Sequence, residues 1–176
     1  MGQFLTDTPS IKQTRIEGYW YTEQNSLFKD DDGKIYLAPR CTLTDGYSIP
    51  ALFHFIVGDK FKHDIRPAVQ HDWECYYHQA IIVNLTEIQL RKSCLLDYKN
   101  GFWICNDIPL QYLTIVETTF DETNSRFRRM LKCLTNIPNW QRKLIGDFVN
   151  LNAGWLLKPH QLHKDRIYRI DYEQIR

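Results

Sequence analysis

An Asp32-Gly33 dipeptide set between Leu27-Phe28 and Ile35-Tyr36-Leu37 constrains this chain more than any other feature. Glycine supplies the positive φ that a tight reversal needs, and apolar runs on either side of it are the mark of paired strands. The segment around it, 16–50, is rich in aromatic and β-branched residues punctuated by turns, as in Gly18-Tyr-Trp-Tyr-Thr22. It reads as an antiparallel β meander. The Asp30-Asp31-Asp32 run lacks the spaced oxygen ligands and terminal glutamate of a calcium loop, so it reads as a solvated turn.

Beyond Pro50 the texture changes. Asp64 is placed to cap a helix that has Pro67 in its first turn and carries Ala68, Val69, His71, Asp72, Trp73 and Tyr76 on towards Ile82. Asn84-Leu-Thr-Glu87 is a candidate cap for a second helix, Ile88 to Leu96, ending near Asn100-Gly101. Phe102-Trp-Ile-Cys105 suits a short strand. Apolar residues recurring every three to four positions predict a helix from Asp121 to Leu134, and Trp140, Leu144, Phe148, Leu151 and Trp155 predict another behind Pro138. The tail, 158–176, alternates loosely and suits an edge strand. The whole is expected to be one α+β domain over 1–176: a meander at 16–50, a mainly helical part at 64–157, and an N-terminal antiparallel sheet packed by three to four helices.

Composition narrows the function. The 176 residues are 43% hydrophobic, enough for one core without metal or disulfide support. Lys+Arg 22 against Asp+Glu 21 leaves a net charge of +1, so no global field favours nucleic acid. Asn84, Glu87 and Arg91 interrupt the most apolar stretch well short of a bilayer span. No continuous apolar run near the N-terminus reads as a secretory signal, so the protein is expected to stay where it is made. Five scattered cysteines (Cys41, Cys75, Cys94, Cys105, Cys133) suit free thiols in a reducing compartment.

The densest chemistry lies in His71-Asp72-Trp73-Glu74-Cys75-Tyr76-Tyr77-His78. On a helix, His71, Cys75 and His78 share a stripe while Asp72 and Glu74 point elsewhere. Imidazole and thiolate on one stripe are a zinc-type ligand set. Alternatively, His71 is a general base held in one tautomer by a carboxylate or amide of another helix. The simple alternative to both is a structural histidine packed beside Trp73. Thr44-Asp45-Gly46-Tyr47-Ser48-Ile49-Pro50 reads as a strand end entering a turn. Asp45 and Ser48 there are candidates to face a site beside the following helix.

The segment Thr44-Asp-Gly-Tyr-Ser-Ile-Pro50 followed by Pro67-Ala-Val-Gln-His71-Asp72 resembles a family of small proteins of unknown function that recurs in tailed-bacteriophage genomes. Thr123-Asn124-Ser125-Arg126-Phe127 resembles its downstream A-D-x-x-F helix, with Asn124 in the aspartate position and Cys75 where a tyrosine is usual. The likeness spans roughly Leu27 to Trp155. Helices carrying H-D and a facing aspartate are also loosely similar to secreted phospholipase A2, whose calcium loop and paired cysteines are absent.

The resemblance implies a phage provenance and carries no settled activity, so two functions are held open. The first is a bacteriophage accessory protein acting by binding, either in the virion or on a host factor. The second is a phage hydrolase of lipid or cell-envelope esters or amides with His71 as base, Asn124 or Asp72 orienting it, and Asp45 near a metal or the oxyanion. Both put the chain in the host cytoplasm or the virion, the first with a protein partner of host or virion, and neither fixes a cofactor; zinc or calcium would be the metals to test.

Overall fold

A computed structural model describes residues 2–14, 19–47, 58 and 63–150. In chain order the strands and helices are β1 (Gln3–Phe4), β2 (Ile11–Gln13), β3 (Trp20–Thr22), β4 (Ser26–Lys29), β5 (Ile35–Ala38), β6 (Leu43–Thr44) and α1 (Arg66–Tyr77). They continue with β7 (Gln79–Val83), α2 (Glu87–Lys92), β8 (Leu96–Lys99), β9 (Phe102–Cys105), β10 (Leu113–Glu117) and α3 (Phe120–Lys132). A last helix, α4, covers 139–150. The architecture is α+β.

The expected hairpin forms the centre of a five-stranded antiparallel sheet ordered β1-β4-β5-β7-β10. Leu27 stands opposite Leu37 and Phe28 opposite Tyr36, and Gly33 takes φ 84° at the reversal. Asp31 and Asp32 are exposed as expected of a solvated turn, but Asp30 is buried. Its carboxylate accepts two hydrogen bonds from Arg129 Nε, at 2.8 and 3.1 Å, and one from Nη2 at 2.7 Å. The turn is therefore fastened to α3. Two smaller antiparallel sheets, β2-β3-β6 and β8-β9, flank the main one.

Side-chain alternation splits the core between the sheet's two faces. Phe28, Tyr36 and Ala80 face a layer holding Ala68 of α1, Phe127, Met130 and Leu131 of α3, and Ile145 and Val149 of α4. Leu27, Ile35, Leu37, Ile81 and Val83 face the other way, towards Leu90 of α2 and the β8-β9 pair.

Three expectations change on this side of Pro50. The first helix stops at Tyr77, because His78 adopts the left-handed conformation at φ 51° and sends the chain into β7. Ala80-Ile-Ile-Val83 is thus a strand flanked by β5 and β10 rather than a fourth helical turn. Consecutive β-branched residues lose side-chain freedom on a helix, and a strand buried on both faces reads as an unbroken apolar run. The second helix is shorter than expected. Its cap is Thr86 in a capping box with Gln89, not Asn84 with Glu87, and it ends at Lys92. Asn100-Gly101 closes a hairpin instead of a helix: both residues have positive φ, 53° and 90°, and β8 pairs with β9 across them. The part read as mainly helical also supplies β10, the far edge of the sheet.

Two helices agree closely with the sequence pattern. α3 begins in a capping box between Thr119 and Glu122 and buries Phe127, Met130 and Leu131, and α4 follows Pro138. The part of the last helix expected beyond 150 and the tail at 158–176 lie outside the described residues. Phe127 is 1% exposed at the junction of α1, α3 and the β6 turn. Phe127→Ala is expected to cost about 3–5 kcal/mol of unfolding free energy, measured by urea denaturation.

Candidate functional site

Thr44, at the end of β6, is completely buried and works in two directions. Its hydroxyl donates to Asp72 Oδ2 at 2.6 Å, and its Oγ1 accepts from the Gly46 amide at 2.9 Å. Gly46 can make that bend because it holds φ 79°. One residue on, the Tyr47 hydroxyl donates to the Asp64 carbonyl just before α1, and its ring packs against Phe127. The Asp-Gly turn and the His-Asp helix therefore meet in space. Asp64 itself takes the Arg66 amide at 3.0 Å, although the residue in the cap position is Ile65.

His71 stands on the adjoining face of α1. Its Nε2 lies 2.9 Å from Asn124 Oδ1, and Asn124 Nδ2 donates to Asn150 Oδ1 of α4 at 2.9 Å. With the Asn124 amide nitrogen committed to α4, its oxygen faces the ring, so Nε2 carries the proton in this network. Nδ1 faces Asp72 Oδ1 at 3.7 Å, and Cys75 Sγ lies beside the ring, 3.5 Å from Nε2 and 3.8 Å from Nδ1. Burial alone would hold this imidazole neutral; the Cys75 sulfur and the Asp72 carboxylate outweigh it, and His71 titrates well above 6.5.

Asp72 and Glu74 lie off the stripe of His71 and Cys75, yet both are buried. α1 is wedged between the β6 turn, the main sheet and α3, so most of its circumference is covered. Asp72 is 8% exposed and Glu74 1%. Glu74 accepts from Arg126 of α3 and, at 3.0 Å, from Gln70 Nε2. The Arg126 guanidinium lies 4.0 Å from the centre of the Tyr36 ring. Burial nonetheless raises the Glu74 carboxyl above its ordinary range, against the lowering effect of Arg126.

His71, Asp72 and Asn124 thus come together with the turn after Thr44. Asp45 lies near the Tyr19 and Tyr76 hydroxyls: both are pushed up, chiefly by burial, with Asp45 and Asp72 adding to the effect. Ser48 lies outside the described residues. Among the described residues no group of three His, Cys, Asp or Glu side chains is arranged to hold a metal ion. His78 leaves the stripe of His71 and Cys75 because the helix has already ended. None of the five cysteines is in a disulfide.

Sequence reasoning missed Thr44, Glu74, Arg126 and Asn150. The available signal was Arg126 beside Phe127 within the apolar repeat of α3, since a charge on a buried face needs a partner.

The crevice above this centre is lined by Gly46, Tyr47, Ala68, His71, Asp72, Phe127 and Val149, and its described walls leave no space for a water molecule. The arrangement is that of an α+β protein with a buried polar centre between two helices and a strand-end turn. The chain belongs to the DUF1353 family of proteins of unknown function, matching it over residues 20–146. No curated protein and no solved structure shows a significant match to it.

Two measurements follow from the buried pairs. Arg126→Met leaves Glu74 without its cation and is expected to cost about 3–5 kcal/mol, whereas Arg126→Met with Glu74→Gln should recover most of the loss; a double-mutant cycle in urea reads both. For His71, whose folded value is raised, the stabilisation is fully present below 6.5 and fades as pH climbs through the folded value. The stability gap between wild type and His71→Gln should therefore be largest at low pH and shrink as pH rises, in urea titrations from about pH 5 to about pH 9.

Proposed function

We propose that this is a bacteriophage accessory protein that acts by binding a protein of the host or the virion, and that its polar centre is a scaffold rather than a hydrolytic site. The observation that carries this reading is the commitment of the centre's atoms to one another. Thr44 holds Asp72 at 2.6 Å, Asn124 holds His71 at 2.9 Å, and Asn150 holds Asn124 at 2.9 Å. A base that activates water needs that water within hydrogen-bond reach, and the described walls of the crevice over His71 enclose no space for one. A satisfied buried network of this kind fixes one arrangement of the elements it joins.

The phage assignment rests on the resemblance of Thr44–Pro50 and His71-Asp72 to proteins of tailed phages, and on membership of a family with no assigned activity. No described helix is long and apolar enough to cross a membrane. A host-cytoplasm or virion location belongs to the same proposal. The hydrolase reading draws on one feature, the imidazole oriented by Asn124.

The two readings separate in infected cells. Tagged wild type and His71→Gln, both confirmed folded, are recovered from lysates and from purified particles, and bound proteins are identified by mass spectrometry. A scaffold role predicts the same partner for both and unimpaired phage growth with His71→Gln. Loss of the phenotype with partner binding intact would overturn the binding proposal in favour of chemistry at His71.

A further inference from the structure

The two edges of the five-stranded sheet differ in kind. β1 is two residues long, and Arg66 lies across its Phe4 ring, 4.5 Å from the centre. β10 is the opposite case: Leu113-Thr-Ile-Val-Glu117 runs in unbroken register along β7, with no bulge, proline or lysine. Shortness, bulges, prolines and charges are the usual devices that keep a sheet edge from pairing with another strand. Of these β10 carries a single carboxylate, at its last residue.

The register fixes which backbone groups face outwards. The Asn84 amide donates to the Tyr112 carbonyl at 2.8 Å, and the Thr118 amide donates to the His78 carbonyl at 3.0 Å. Hydrogen-bonded pairs alternate along an antiparallel ladder. Thr114 and Val116 therefore turn their amides and carbonyls towards β7, and Leu113, Ile115 and Glu117 turn theirs to the open side. The Leu113 amide is taken by the Leu110 carbonyl. Among the described residues, none pairs with the amides or carbonyls of Ile115 and Glu117. The Ile115 side chain stands opposite Ile81, on the face that carries α2, and is 58% exposed.

We propose that β10 is the seat of a two-fold dimer: it pairs antiparallel with β10 of a second copy, and the two sheets join into one of ten strands, five from each copy. The occupant follows from self-complementarity, since a two-fold contact needs one patch that matches itself. With the axis at Ile115, its amide and carbonyl bond those of Ile115 of the partner subunit, and the Glu117 amide reaches the carbonyl of the partner's Leu113. The two isoleucine side chains cover each other as a cross-strand β-branched pair. The strand's one charge sits at its end, so Glu117 lies opposite the partner's Leu113. A parallel, in-register pairing would instead set the two carboxylates side by side. The inference is independent of the binding reading, because it uses the sheet edge and leaves the polar centre untouched.

The test is sedimentation velocity on the full chain. Wild type should dimerise at or below about 100 µM, as suits a short edge contact. Ile115→Lys sets like charges across the axis and should weaken the dimer at least about tenfold, and Ile115→Glu should do the same. Mixed in equal amounts, the two variants should form a heterodimer, because lysine then faces glutamate. Both substitutions fall at an exposed side chain, and circular dichroism checks that each variant is folded. In wild type, amide exchange at Ile115 and Glu117 should slow as concentration raises the dimer fraction, a readout that needs no variant. A wild type still monomeric at about 100 µM overturns the proposal, as does a dimer that folded Ile115→Lys leaves intact or a charge-paired mixture that stays monomeric. Exchange at these two amides that is equally slow in monomer and dimer would assign the edge to another segment of the same chain, and exchange equally fast in both would leave it open. Either result also overturns the proposal.

Discussion

The seam between α1 and α3 is the constraint on which the rest of the molecule depends. Most of what joins these helices to the sheet is apolar and non-directional, and an apolar seam alone tolerates small rotations and slips. Two polar pairs remove that freedom. Asn124 meets His71 on the side of α3 that faces α4, while Arg126 reaches Glu74 on the side that faces the sheet and covers Tyr36. Turning α3 about its axis in either direction breaks one of them. The cost is asymmetric: a lost neutral contact costs about 1–3 kcal/mol, but a stranded buried charge costs more. The pairs therefore select one register for a packing that hydrophobic burial makes stable.

The same logic extends outward by single side chains. Arg129, one turn after Arg126 on α3, clamps Asp30 at the central hairpin. Asp72, next to His71 on α1, ties down Thr44 and through it the Gly46 bend. The hairpin, the β6 turn and α4 are all referenced to the one helix pair. In a low-dielectric interior such bonds reinforce one another, and each unmade bond carries its full desolvation cost. The polar centre thus couples segments distant in sequence, from 44 to 150, which suits a surface that must be presented in one shape.

The legible parts of the fold were those with local causes. The Gly33 reversal, the α3 stripe and the helix after Pro138 follow from short-range sterics and periodicity, and all three stand where the pattern puts them. Ala80–Val83 failed because a short apolar run fits a buried strand as well as a helix, and the arbiter, pairing with β5 and β10, is non-local. Asn100-Gly101 failed because glycine after asparagine ends helices and turns hairpins alike; only the pairing of Leu96 with Cys105 separates the two. At the candidate site, the meeting of His71 with Asn124 was legible through a family likeness, not through spacing. The burial of Glu74 was not legible because a helical wheel assumes one exposed face, and α1 is covered from several directions.

Asparagine rather than aspartate at position 124 has a chemical consequence. A carboxylate there would favour the imidazolium by direct charge and, by accepting the Nε2 proton's hydrogen bond strongly, would make His71 a better base towards solvent. The amide orients the ring without charging it, and the nearby charge comes instead from Asp72, 3.7 Å from Nδ1 and held by Thr44. Charge and orientation are supplied by different residues from different elements. A ring so arranged is held in one orientation by Asn124 while its charge environment is set by Asp72.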